Sequence, residues 1–126
     1  MGFKVFNPDG MPPPAANYSH AAMIEGGRIL LVSGQVGVRG DGTMPDDFAE
    51  QCEIAWGNVE HILKSQGGGL QNIARVNAFI DSNANTAIFR EIRDKYVPHN
   101  PASTVVVAAL MQPEWRVEIE VTAVFD

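Results

Sequence analysis

Two stretches of this chain, Ile29 to Val32 and Val105 to Leu110, are apolar at every position. A strand of that kind needs cover on both faces of its sheet. The rest of the sequence offers only two helices to provide it. The first is expected to start at a cap, Asp46 or Asp47, and to run towards Ser65, where Gly67 to Gly69 stop it. Its Phe48, Cys52, Ala55, Trp56, Val59, Ile62 and Leu63 recur at spacings of three and four, which gathers them on one face. The second is expected from about Asn85, with Ile88, Ile92 and Tyr96 as its apolar stripe and Pro98 closing it. Helices that connect strands of one sheet by right-handed crossovers lie on one side of it. The other side is left bare, and a second copy of the same sheet is the economical cover, which predicts a homo-oligomer with pockets between subunits.

The remaining strands follow from alternation and from breakers. Lys4 to Phe6 reads as an edge strand, ended by the proline-rich stretch to Pro14. Ser19 to Ile24 and Arg28 to Val36 read as strands joined through Glu25, Gly26 and Gly27 as a tight hairpin. Val76, Ala78 and Ile80 alternate as a strand between the helices. Ser103 to Leu110 and Arg116 to Phe125 read as a second hairpin through Gln112 and Pro113. The whole is one α+β domain over residues 1–126, a mixed sheet with two helices on one face.

Charge and cysteine usage narrow the partners. Nine Lys and Arg against fifteen Asp and Glu give a net charge of -6, which opposes a broad grip on RNA or DNA. Cys52 is the only cysteine, so no disulfide forms within the chain, and a reducing, cytoplasmic setting is expected. Neither an export leader nor a membrane segment is expected, and the Asn17–Tyr18–Ser19 sequon then carries no weight. His20, His61 and His99 are scattered without a paired spacing, so neither a metal nor another cofactor is expected. Cys52 falls on the buried stripe of the first helix and reads as core.

Two places carry chemistry. Glu118 and Glu120, two apart on the last strand, share the face opposite Val117, Ile119 and Val121, so they point away from the helices. If a partner covers that face, a carboxylate there loses water and can act as general base or water anchor; otherwise it is a solvated strand face. Ser33, Gly34 and Gln35 end the apolar strand with two polar side chains around a glycine that admits a ligand or another backbone. Ser33 lacks the Gly-x-Ser-x-Gly setting of a hydrolase elbow, and the glycines at 34, 37, 40 and 42 lack the pattern of a phosphate loop or dinucleotide fingerprint.

Taken in order, Tyr18, Ser19 and Ala21, then Ser33, Gly34 and Gln35, then Pro101 and Ala102, then Val117, Glu118, Ile119 and Glu120 resemble the Rid family. This family is also called YjgF or endoribonuclease L-PSP. The resemblance spans nearly the whole chain. It implies a chorismate-mutase-like fold of the bacillary type, a trimeric, barrel-like assembly with clefts between subunits, and hydrolysis of enamines or imines released by amino-acid enzymes. It implies Glu120 as the residue that positions water, and Tyr18, Ser33 and Gln35 as cleft residues. In deaminating members an arginine after the Pro-Ala pair clamps the substrate carboxylate; that position is Ser103 here. A cysteine two residues on corresponds to Val105, an asparagine on the second helix to Phe89, and a glutamine of many relatives to His20. The expected ligand-binding set is therefore Tyr18, His20, Ser33, Gln35, Phe89 and Ser103, with Glu120 catalytic. Standard 2-imino acids should be poor substrates without the arginine. The alternative is a ligand-binding or regulatory trimer without turnover.

Overall fold

The computed structural model describes residues 2–126. In chain order it contains β1 (Phe3–Phe6), β2 (Ala21–Ile24), β3 (Arg28–Val36), α1 (Phe48–Ser65), β4 (Ile73–Ile80), α2 (Thr86–Tyr96), β5 (Ala102–Val107) and β6 (Val117–Phe125). Four strands form the main sheet in the order β3-β6-β4-β5, with β4 and β5 parallel and the other pairs antiparallel. The expected α+β mixed sheet with both helices on one face is present. Side chains of α1 and α2 join Val76, Ala78, Val117, Ile119, Val121 and Ala123 in one buried cluster.

Both expected hairpins are replaced by other pairings. β2 pairs with β1, and β3 with β6. The turn amides of Glu25 and Gly26 are taken by the Gly2 carbonyl, at 2.8 and 3.3 Å. Gly27 has φ +91° and lies so close to the Phe125 carbonyl that a Cβ would stand 2.0 Å from it. The turn thus delivers β3 to β6, which is as long as β3, whereas β2 has four residues. Nor do β5 and β6 pair. Both edges of β6 are occupied, by β3 and β4, so β5 lies beyond β4 and ends at Val107 rather than Leu110. A parallel pair needs a long crossover between its strands, and α2 provides it.

Helix α1 begins as its sequence predicts. Asp47 is extended at the cap and accepts a hydrogen bond from the Glu50 amide at 3.0 Å. Asp46 does different work, pairing with Arg116 at 3.0 Å. The expected stripe is buried, except that Ile62 is only partly covered. Gln51 joins it without having been expected. Its amide donates to the carbonyls of Pro45 and Glu114, both at 2.9 Å, and its oxygen accepts from the Arg116 amide at 2.9 Å.

The apolar stripe of α2 is rotated from the expected one. Phe89, Ile92 and Arg93 are buried and Tyr96 packs partly against the core, while Ile88 is exposed. Tyr96 is common to the expected and the observed face and is held in place. Its ring stacks on Trp56 of α1 at 5.5 Å and 9°, and its hydroxyl donates to Glu53 at 2.7 Å. The 89–92–93–96 face is the one turned inward. Lys95 pairs with the same Glu53, and with Tyr96 it holds that carboxyl below the usual glutamate range.

The opposite face of the sheet carries no helix. Leu31 is 75% exposed and Ile29 54%, and Val106 is exposed on β5. Glu118, Glu120 and Thr122 lie among them and are half-buried. Among the described residues, no helix is long and apolar enough to cross a membrane.

Candidate functional site

Alternation along the strands sorts the expected site residues onto opposite faces. In the parallel β4–β5 pair, Ser103 stands beside the buried Val76 and Val105 beside the buried Ala78, so both face the helices. Between this edge strand and α2 lies a cavity of about 230 Å³. Tyr18, Phe89, Ser103 and Val105 line it with Ile80, Thr86, Val107, Arg90 and Arg93. Three of the expected ligand residues, Tyr18, Phe89 and Ser103, are therefore brought together. The main chain carries Tyr18 there because Ser19 forms a parallel bridge to Ala102, and the Ser19 hydroxyl donates to the Asn100 carbonyl at 2.7 Å.

Glu120 is on the other face. It stands opposite Asn77 of β4, whose amide donates to its Oε1 at 3.2 Å. The two line a depression of about 220 Å³ with Leu31, Val32, Arg75, Val121 and Thr122. Within one chain the sheet itself separates Glu120 from Ser103. His20 lines a third depression with Ala102, Arg75 and Thr122, and the last two also border the Glu120 site. Its Nε2 donates to the Pro12 carbonyl at 2.8 Å, and its backbone amide to Asn7 at 2.7 Å, so the ring is held to the N-terminal segment.

Ser33 and Gln35 stand where the β3–β6 register slips between Val32 and Gln35. The exposed Ser33 offers its carbonyl to the Gln35 side chain at 3.1 Å. At the slip Gly34 meets the carboxylate of Glu118, whose Oε2 lies 1.9 Å from where a Cβ would stand. Only glycine lets that carboxylate fold onto the strand. Ser33 and Gly34 thus stand opposite Glu120, between the Val32–Val121 and Gln35–Ile119 pairs, while the Glu118 carboxylate reaches Gly34.

Cys52 is fully buried, and burial, reinforced by Glu53, pushes its thiol up to about 12. It is a core residue and not a nucleophile. Among the described residues, no three His, Cys, Asp or Glu side chains gather to hold a metal ion.

Two site residues escaped the sequence reading. Asn77 could have been found, since it is the one uncharged polar side chain within the otherwise apolar strand Val76 to Ile80. Arg93 could not, because its burial depends on the rotation of α2. It is 3% exposed, and its guanidinium lies 5.9 Å from the centre of the Phe89 ring.

The chain is similar to known proteins over nearly its whole length. The mitochondrial protein Mmf1 of Saccharomyces cerevisiae is 33% identical over 115 residues, covering 90% of this chain and 78% of its own. The 3-aminoacrylate deaminase RutC of Acinetobacter baylyi is 28% identical over 94% of this chain and 95% of its own. A crystal structure from Yersinia pestis, YyfB, described as a protein of unknown function of the conserved Rid family, superposes with a TM-score of 0.89. It is 29% identical and covers 99% of this chain and 100% of its own. Residues 10–125 match the endoribonuclease L-PSP family along almost the entire domain, and the chain therefore belongs to that family, the Rid or YjgF proteins.

Proposed function

We propose that this protein is a small-molecule hydrolase of the enamine or imine type, working as a homotrimer with its clefts between subunits and with Glu120 positioning the attacking water. The observation that carries this reading is the separation of Ser103 from Glu120 by the sheet. One chain alone holds the Tyr18–Phe89–Ser103 wall without the acid. A second copy, bringing its own uncovered face round to the β5 edge of this one, supplies its Glu120 to complete the cleft. Asn77 fixes the Glu120 carboxylate so that its second oxygen is left for water.

The deaminase name of the Acinetobacter relative supports the reaction class. Ser103, standing where deaminating relatives carry a clamping arginine, cannot by itself form a bidentate pair with a substrate carboxylate. Nucleic acid is not the substrate in this reading, since the acidic balance opposes phosphate binding. The single buried thiol suits a reducing compartment, which we take to be the cytoplasm.

Light scattering over a dilution series tests the assembly, with three times the chain mass expected and a stable monomer at micromolar concentration excluding it. An amino-acid oxidase coupled to detection of released ammonia tests the chemistry. Turnover of some imine above background that disappears in Glu120→Gln supports the hydrolase. Wild-type protein that binds a metabolite in the cleft but turns over no imine supports the non-catalytic trimer instead.

A further inference from the structure

The cavity beside Ser103 contains two polar atoms that the chain leaves unmatched. Arg93 Nη2 and Ser103 Oγ are both buried, and neither has a hydrogen-bond partner among the described residues. An unmet N–H on a buried guanidinium is more costly than one on a neutral group. The only carboxylate beside it, Asp94, reaches Nε alone, at 3.2 Å, and shares its other oxygen with Asn17. Among the described residues, Nε of the guanidinium is thus held and Nη2 is left unmet.

The lining sharpens the point. Two of the six arginines in a chain of net charge -6, Arg90 and Arg93, border this cavity, and no Asp or Glu does. Phe89, Ile80, Val105 and Val107 make the rest of the wall largely apolar. At about 230 Å³ the space is small, below the range of about 300 Å³ and more typical of drug-sized ligands.

We infer that Arg93, with Ser103 beside it, is the anion-binding residue of this cleft and holds the carboxylate of a small, short-chain carboxylate ligand. A guanidinium from α2 thereby does from the helix what Ser103 cannot do from the strand. Nη2 donates to one carboxylate oxygen and the Ser103 hydroxyl to the other, while the apolar wall takes the tail. The ligand is anionic, whereas a cleft built around Ser103 alone would favour a neutral one. This rests on the proposed ligand cleft, but it concerns binding and not turnover.

The test uses the full-length protein, with propanoate, propanamide and inorganic phosphate as probes, followed through the arginine side-chain N–H resonances in NMR. Propanoate is expected to shift the Arg93 Nε–H signal saturably, and propanamide to bind about tenfold or more weakly. Arg93→Met, with folding checked by circular dichroism, should lose that preference, and Arg93→Lys should keep part of it. If Arg93→Met does not fold, Ser103→Ala and the wild-type resonance carry the test, since Ser103→Ala removes a donor to a carboxylate oxygen and should weaken propanoate more than propanamide.

Equal binding of propanoate and propanamide overturns the inference. So does an Arg93 resonance that does not move at saturation, the result expected if a neighbouring copy already meets Nη2. Phosphate binding tighter than propanoate overturns the carboxylate assignment. Propanoate binding that persists in a protein without imine turnover removes the hydrolase and leaves this site standing; turnover without propanoate binding does the reverse.

Discussion

The two faces of the main sheet are built from the same four strands, yet one is a core and the other a surface that wants a partner. Under the helices, Val117, Ile119, Val121, Ala123, Val76 and Ala78 are all nearly inaccessible. On the bare face, Ile29, Leu31 and Val106 alternate with Glu118, Glu120, Arg75 and Asn77. Along β6 and β4 the covered face is uniform because the side chains there meet carbon. The bare face is mixed because it must both exclude water at its apolar positions and keep carboxylates usable at the others. Strand alternation thus places the core on one side and the carboxylates on the other, and at the β5 edge, by Ser103, the covered face also carries a polar site.

The contrast can be broken from either side. The largest effect is expected at Trp56, fully buried and stacked on Tyr96. Trp56→Ala should cost about 3–5 kcal/mol by urea denaturation, enough to unfold much of a marginal domain. A loss under about 1 kcal/mol would mean that the helix layer is not the core on which the contrast depends.

On the other face, Leu31→Asp should leave the circular dichroism spectrum intact and abolish assembly, read by light scattering at a protein concentration where wild type associates. Unchanged association would show that copies do not meet on this surface. A smaller effect sharpens the comparison at the edge of the core. Asp47→Ala should remove the α1 cap bond and cost about 1 kcal/mol in denaturant midpoint analysis.

The smallest effect concerns Glu53, which ties the two helices together through Lys95 and Tyr96. Its carboxyl lies below its ordinary value of 4.5 in the folded chain. The stabilisation is therefore fully present above 4.5 and is lost as the pH falls through the lower, folded value. Glu53→Gln should flatten the acid limb of the stability curve slightly, since the group is largely solvated. An unchanged acid limb would remove Glu53 from the helix–helix contact.

The sequence yielded the elements more readily than their neighbours. The cap at Asp47, the stripe of α1 and the alternation of β6 are local patterns, visible at spacings of two, three and four. Which strand lies beside which is decided by distant residues. The Gly26–Gly27 turn looks like a hairpin until the Gly2 and Phe125 carbonyls occupy its surroundings. Of the candidate site, Glu120 and the Tyr18–Phe89–Ser103 group were found, the latter through a family resemblance. That they lie on opposite faces follows from the parallel register of β4 and β5, which the hairpin reading concealed. Arg93 was missed because charged residues on a helix ordinarily face water, whereas this one is buried beside the Phe89 ring.

Gln51 has a bearing on how the domain opens. Its single carboxamide joins α1 to the segment before it and to the entry of β6, with three hydrogen bonds at 2.9 Å to Pro45, Glu114 and Arg116. These residues are far apart along the chain, so the bonds cannot survive once the helix leaves the sheet. The amide hydrogen of Arg116 is then shielded from solvent by a side chain and not by a neighbouring strand. Its rate of exchange for deuterium reports how often an eighteen-residue helix lifts away. One proton in a loop thereby becomes a clock for the departure of half the helical layer.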